Sequence, residues 1–372
     1  MLKDTLGSRQ ANRTIIRKLS HQPDNWQISM FCIGCPDLDR CGGIAAQAGG
    51  HCYMHCCGGK AECQTVCRKN PAFKAQFREI GGFDLENTPR VAPVPHPALH
   101  GTAPLILHGK RRSTLVRAAM FTLKLRDVVD MKTGVLRYST REELADGLKI
   151  DPAAQIIVTG IEQDRWVEPW WSLGRAHRRL LLTEFSGLGI ALVTPPNFSL
   201  FCDQPRPSDF SAMKRIAMVQ SEFLAAGIPC AIHPHFRTET DSARWISFVA
   251  ERPEIQTIAY EFTTGAGRTY ARQLHIDHLA RLAESAGRPL DLVIRGDQRI
   301  IPVLTRYYRN IVYIDTNAFM KSIYRKMAIR TDDRFLDWQS VETPANISLE
   351  ALMQHNVDEV TLATRLFLAN AA

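Results

Sequence analysis

The sequence has no run of apolar residues long enough to cross a membrane. A spanning helix needs about 20 consecutive apolar residues, and none of the 372 residues belongs to such a run. The first 19 residues are polar and basic and lack the apolar stretch of a secretory signal. We therefore expect a cytoplasmic protein without a membrane partner, in which clustered cysteines bind metals rather than form disulfides.

Two cofactor motifs are also missing. No GxGxxG motif follows the first strand-like segment, which disfavours a dinucleotide-binding sheet. No CxxxCxxC triplet occurs, so radical chemistry driven by S-adenosylmethionine has no support. These absences direct attention to an unusual concentration of cysteine near the start of the chain.

Eight of the ten cysteines lie within 36 residues, among many glycines that allow a backbone to turn tightly. They are Cys32, Cys35, Cys41, Cys52, Cys56, Cys57, Cys63 and Cys67. Thiolates are soft metal donors, so this cluster predicts a metal site. Only one CxxC pair is present, whereas zinc ribbons usually have two, and this favours an iron–sulfur cluster with zinc as the alternative. Whether the eight thiols form one site or two stays open.

Positive charge is concentrated in the first part of the chain. Residues 1–150 hold 22 of the 46 Lys and Arg and 13 of the 38 Asp and Glu, a net charge of +9, and residues 151–372 carry −1. This asymmetry is typical of a segment that meets nucleic acid or another anionic partner. Lys110, Arg111 and Arg112 are the candidates for contact with phosphates, and an ordinary basic edge strand is the alternative.

Composition divides the chain into three parts. Residues 1–82 form a cysteine-rich metal-binding module with a basic N-terminal arm, residues 83–103 a proline-rich connector, and residues 104–372 an α/β domain. In the last part, short apolar strands alternate with helices of 12–20 residues, which is typical of parallel sheet with crossover helices. At least six strands are visible between Ile156 and Asp315. Pro104–His108 and Phe121–Leu125 can supply two more, which predicts an eight-stranded TIM-barrel-like domain, and an open doubly wound sheet is the alternative.

Polar residues follow the strands of this domain, and chemistry in barrels and open sheets takes place at the carboxyl ends of strands. The candidate catalytic residues are Asp203, His233, His235, Glu261, Arg295 and Asp315. His233 and His235 share one face of an extended segment, where they can bind a metal ion or a phosphate, unless they are ordinary buried and surface histidines. Glu261 and Asp315 suit acid–base or metal-binding roles, and Arg295 suits an anion. Helix-terminal salt bridges are the alternative.

A family resemblance covers residues 190–320. The stretch TPPNFSLFCDQPRP, the strand PCAIHPHF and the later YEFTTGAG and VIRGD segments resemble an uncharacterised domain-of-unknown-function family of phages and mobile elements. The resemblance implies a mobile-element association and no defined activity. The cysteine-rich front is not typical of that family, so it needs its own explanation.

Three functions are consistent with these observations. The first is a metal-cluster-containing barrel enzyme that acts on nucleic acid or a nucleotide-derived substrate. The second is a zinc-containing nucleic-acid-binding protein without catalysis. The third is a barrel metallohydrolase that uses His233, His235 and Asp315, although such sites usually have further histidines at later strand ends.

Overall fold

The computed structural model describes residues 79–107, 112–200, 206–236, 238–263, 269–332, 334–341 and 348–369. This part of the chain is a mixed α/β protein with parallel sheets, as the alternation of strands and helices predicted. The strands are β1 (Gly101–Pro104), β2 (Met120–Lys124), β3 (Val129–Asp130), β4 (Val135–Leu136), β5 (Gln155–Thr159), β6 (Leu192–Thr194), β7 (Thr257–Glu261), β8 (Asp291–Arg295), β9 (Ile311–Asp315), β10 (Lys326–Arg330) and β11 (Leu336–Ser340).

Ten α-helices are present in the same described ranges. They are α1 (Leu125–Val128), α2 (Arg141–Leu148), α3 (Asp164–Ser172), α4 (Arg175–Phe185), α5 (Arg206–Ala225), α6 (Glu239–Ala250), α7 (Thr269–Ser285), α8 (Ile301–Leu304), α9 (Asn317–Ile323) and α10 (Leu349–Ala369). Short 3-10 turns occur at Leu85–Asn87, Ser186–Leu188 and Gln298–Ile300. No described helix is both long enough and apolar enough to cross a bilayer.

The parallel strands form two sheets that single bridges connect. One sheet has the order β1-β9-β8-β7 and the other β2-β5-β6. A parallel bridge between Leu105 and Thr122 joins β1 to β2. Residues 230–232 bridge to β6 on one side and to β7 on the other. Parallel pairing therefore runs from β1 through β2, β5, β6, residues 230–232, β7 and β8 to β9, which pairs with β1.

The buried apolar side chains fall into two cores. The large core packs the strands against the helices. The small core receives at least one side chain from each of the eight paired segments. Its members are Leu99, Ala103, Leu105, Met120, Ile157, Ile161, Ala191, Leu192, Ala231, Ala259, Val293, Val312 and Ile314. In β8, Val293 belongs to the small core and its neighbours Leu292 and Ile294 to the large one, because successive side chains of a strand point to opposite faces.

Three predicted elements differ from the structure. The predicted strand Pro104–His108 is instead β1 at Gly101–Pro104, which begins inside the predicted connector 83–103. The sequence predicts one helix over 171–185, whereas α3 and α4 are separate because Gly174 has a φ of +77°, which breaks the helix between them. The sequence also predicts a strand over 229–233, and the structure has only isolated bridges at Cys230 and Ile232. An antiparallel hairpin of β10 and β11 was not predicted.

The segment before β1 lies against the helices through its backbone carbonyl groups. The Arg252 guanidinium donates to the carbonyl oxygens of Thr88 at 2.5 Å and Pro89 at 3.2 Å. Lys214 of α5 donates to the carbonyl of Asp84, and Leu85 is buried beside these contacts. Buried cations thus fix the path by which the chain enters the α/β domain.

Candidate active site

The last residues of β7 and β8 form an ion pair. Glu261 and Arg295 are register partners, and Arg295 Nη2 lies 3.0 Å from Glu261 Oε1. The two side chains are 13% and 22% exposed, so water screens the pair only partly. Burial raises the pKa of the Glu261 carboxyl, and the neighbouring Arg295 opposes that rise. Arg295 therefore favours the ionised form of Glu261.

Arg295 also reaches the loop that follows β5. Its Nη1 lies 3.4 Å from the carbonyl oxygen of Ile161, at the outer limit of a hydrogen bond. Its Nε is buried and has no hydrogen-bond partner among the described residues. The Nε–H group of Arg295 is therefore available to donate a hydrogen bond to a ligand.

A second charged cluster lies directly after Ile161. The Glu162 carboxylate is 3.3 Å from Lys124 Nζ and 3.2 Å from Arg126 Nε, at the end of β2 and just beyond it. The Glu162 amide donates to Asn197 Oδ1 at 3.0 Å, which connects this cluster to the loop after β6. Arg295 faces the carboxylate of Glu261, and Lys124 and Arg126 face that of Glu162 and also interact electrostatically with the buried carboxyl of Asp127.

His233 is a buried histidine close enough to Arg295 to interact with its charge. It is 4% exposed, and neither ring nitrogen has a hydrogen-bond partner among the described residues. Its ring lies parallel to that of Tyr260, with centroids 5.8 Å apart. Burial lowers the pKa of His233 to about 3. Electrostatic repulsion from His235 and from the Arg295 guanidinium lowers it in the same direction. The imidazole is therefore neutral near pH 7.

His235 stands near His233 without completing a metal site. The two rings are perpendicular, with centroids 5.7 Å apart, and burial lowers the pKa of His235 as well. Within the described ranges, no group of three His, Cys, Asp or Glu side chains is placed to hold one metal ion. The metallohydrolase hypothesis therefore lacks a visible third ligand in this part of the chain.

Asp315 is occupied by contacts with the backbone. Its two carboxylate oxygens accept hydrogen bonds from the amides of Asn317 at 3.0 Å and Ala318 at 2.8 Å, in the first turn of α9. Burial raises the pKa of Asp315 to about 6, although both amides favour the charged form. The structure gives Asp315 a helix-capping contact, and a catalytic role for it stays a prediction.

Arg112 is less available than the sequence suggests. It donates to the carbonyl of Leu148, its guanidinium lies 5.1 Å from the centroid of the Phe319 ring, and burial lowers its pKa. These contacts leave less of the guanidinium for a phosphate than an exposed basic stretch would. The other predicted residues lie outside the described ranges: Cys32, Cys35, Cys41, Cys52, Cys56, Cys57, Cys63, Cys67, Lys110, Arg111 and Asp203.

The sequence predicts Glu261, Arg295 and His233 as candidate catalytic residues, and the structure adds Lys124, Arg126 and Glu162 at the same strand ends. In the sequence, these three residues are indicated by their positions: Lys124 is the last residue of β2, Arg126 follows it, and Glu162 follows β5. No protein-family model matches the chain, and no curated protein matches it either. The arrangement of charged side chains at the strand ends is therefore the basis for inferring function.

Proposed function

We propose that the chain is a TIM-barrel enzyme that performs acid–base chemistry on a phosphorylated, nucleotide-derived substrate. Two features support the barrel. Parallel pairing passes through eight segments and returns to β1. A single small core shared by all eight is typical of the packed interior of such a barrel. A resident metal cluster and a mobile-element association are parts of the same proposal.

The observation that carries the proposal is the Glu261–Arg295 pair. An anionic substrate that binds the unused donors of Arg295 competes with Glu261 for the guanidinium. Glu261 then keeps the Thr263 hydroxyl as a donor but loses its cation in a poorly solvated site, so its pKa rises further. Substrate binding thus prepares Glu261 to act as a general acid or base near neutral pH.

The nearby cations favour phosphate as the anionic group. Lys124 and Arg126 contact the carboxylate of Glu162, and the other carboxyl beside them, that of Asp127, has its pKa raised by burial, so their positive charge is only partly offset. A phosphate has several acceptor oxygens and can contact a guanidinium through two of them. Nucleotides and nucleic acids both carry this group, in agreement with the basic front of the chain.

Isothermal titration with ribose 5-phosphate tests this site. Arg295→Met should weaken binding about tenfold or more, because a hydrogen bond to a charged group contributes about 1.5–3 kcal/mol. The matched control is Arg306→Met, which removes an exposed arginine from the loop before β9. Equal affinity of wild type and Arg295→Met for ribose 5-phosphate would refute the assignment of this site.

The eight clustered cysteines would hold the cofactor, which we propose is an iron–sulfur cluster. The experiment is metal analysis of protein purified without oxygen, with Cys32→Ala/Cys35→Ala compared with Cys230→Ala. Iron and sulfide should be lost from the double variant and retained in Cys230→Ala, because Cys230 is a buried residue of the large core. Stoichiometric zinc in place of iron would favour the zinc-containing alternative.

A further inference from the structure

The proposed function leaves one feature of the site unexplained, namely the buried imidazole of His233. Both ring nitrogens lie in the interior without a hydrogen-bond partner among the described residues. More than nine-tenths of the residue is shielded from solvent. Buried polar atoms are nearly always paired in folded proteins, so an orphaned pair of nitrogens points to a ligand.

The neutral state of the ring limits the chemistry of that ligand. A neutral imidazole has one N–H donor and one acceptor nitrogen. It cannot attract an anion through charge, and the available anion site is Arg295, whose positive charge also disfavours protonation of His233. A hydroxyl group matches the ring because it both donates and accepts.

A bound metal ion is a weaker explanation of the same orphaned nitrogens. His235 is the nearest second imidazole, but the two rings are perpendicular, and the described residues offer no third protein ligand. The metallohydrolase hypothesis needs Asp315 as the third ligand. Both carboxylate oxygens of Asp315 instead accept hydrogen bonds from backbone amides at the start of α9. The donor set therefore fits a neutral polar group better than a cation.

We propose that His233 binds a sugar hydroxyl of the substrate while Arg295 binds its phosphate. This inference rests on the proposed function and defines its substrate class as a sugar phosphate, such as the ribose phosphate portion of a nucleotide. The His233 ring stacks on Tyr260 of β7, and it lies close enough to Arg295 to interact with its charge, so one small ligand can reach both side chains.

The test compares ribose 5-phosphate with 2,3-dideoxyribose 5-phosphate, which lacks two hydroxyl groups and keeps the phosphate. Wild-type protein should bind the hydroxylated ligand about fivefold more tightly, as expected for one hydrogen bond to a neutral group. His233→Leu should abolish that preference and leave the affinity for the dideoxy ligand unchanged. His177→Leu, which replaces an exposed histidine of α4, should behave like wild type.

Thermal unfolding separates this role from a purely structural one. Leucine replaces unpaired nitrogens with apolar atoms, so His233→Leu should unfold at the same temperature as wild type or a higher one in the absence of ligand. A lower midpoint together with an unchanged hydroxyl preference would overturn the inference. Equal binding of the two ligands by wild type would also overturn it, even if Arg295→Met weakens both and thereby supports the anion site. If neither ligand binds, both proposals fail.

Discussion

Glu261 and Arg295 occupy facing positions at the ends of two neighbouring parallel strands, and their charged atoms meet 3.0 Å apart. In a parallel sheet the carboxyl ends of adjacent strands lie at the same edge, so this contact follows from register once the strands pair. The pair joins an acid whose pKa burial raises to a cation that still has unused donors. The first prediction concerns the contribution of this pair to the free energy of unfolding.

Arg295→Met should lower the free energy of unfolding by about 2 kcal/mol at pH 8, because it removes the cation from the poorly solvated Glu261 carboxylate and leaves the Thr263 hydroxyl as its donor. Burial already raises the folded-state pKa of Glu261 above its unfolded value, and loss of the cation raises it further. The penalty is therefore present at pH values above the folded pKa and disappears as pH falls below the unfolded pKa of about 4.3. Urea unfolding at pH 4 and pH 8 measures the difference.

Two further variants control that experiment. Arg295→Met/Glu261→Gln should recover most of the lost stability at pH 8, since the uncharged amide does not need a cation. Arg330→Met removes the pair with Glu359, whose side chains are 35% and 20% exposed, and should cost less than about 1 kcal/mol. A double variant as unstable as Arg295→Met would contradict the explanation based on charge.

His233 should reduce stability in mild acid. Its folded-state pKa is lowered to about 3, below the usual value near 6.5, so the unfolded chain binds a proton that the folded protein does not. Stability is complete above the unfolded pKa and falls with decreasing pH between about 6.5 and 3, by about 1.4 kcal/mol per pH unit. Comparison of wild type with His233→Leu from pH 6.5 to 4.5 isolates this contribution, and parallel curves for the two proteins would be inconsistent with it.

Asp315→Ala should affect stability and spare ligand binding. The substitution leaves the amides of Asn317 and Ala318 without their acceptor and should cost about 1–2 kcal/mol. The affinity for ribose 5-phosphate should match that of wild type in the same titration. A loss of affinity greater than about tenfold would instead place Asp315 in the site, as the sequence suggested.

Asp315→Asn provides the pH control for that variant. The folded-state pKa of Asp315 is raised to about 6, so the charged form is disfavoured by folding, and wild type loses stability as pH rises from about 4 to about 6. The asparagine variant has no such titration and should show a flatter dependence over this range. Identical pH dependences for the two proteins would contradict the burial of this carboxyl group.

Arg252→Met should loosen the segment before β1. Arg252 is 3% exposed and donates to the carbonyls of Thr88 and Pro89 as well as to Glu254. Its removal leaves buried acceptors and a buried carboxylate unpaired, so we expect a loss of about 3 kcal/mol. Hydrogen exchange should accelerate in residues 83–90. Arg306→Met is the matched control, and equal exchange in the two variants would argue against this attachment.

Much of the fold was readable from local patterns. Short strands with apolar centres, such as Ile311–Asp315 and Asp291–Arg295, lie between helical segments, and this alternation predicts buried parallel strands. Two other elements differ from the sequence prediction, one through a local backbone conformation and one through strand pairing. Gly174 breaks a helix that periodicity alone would continue, and residues 230–232 keep only two bridges where the sequence indicates a strand.

The candidate site divides in the same way. Position at the end of a strand identified Glu261, Arg295 and His233 before any contact was known, because parallel strands deliver their last residues to one edge. Sequence could not reveal that Asp315 faces the backbone of α9, that Arg112 lies against Phe319, or that His233 lacks a partner. Each of these depends on distant segments that only folding brings together.

The sequence by itself determined the alternation of strands and helices, the cysteine cluster and the placement of charged residues after strands. Those features arise from residue type and spacing over a few positions. Tertiary structure alone decided which charges pair, since the Glu162 cluster joins β2 to β5 and Arg295 joins β8 to the loop after β5. Burial and the distances between side chains are set by the packing of the whole chain, and they determine which groups are neutral, paired or available to a ligand.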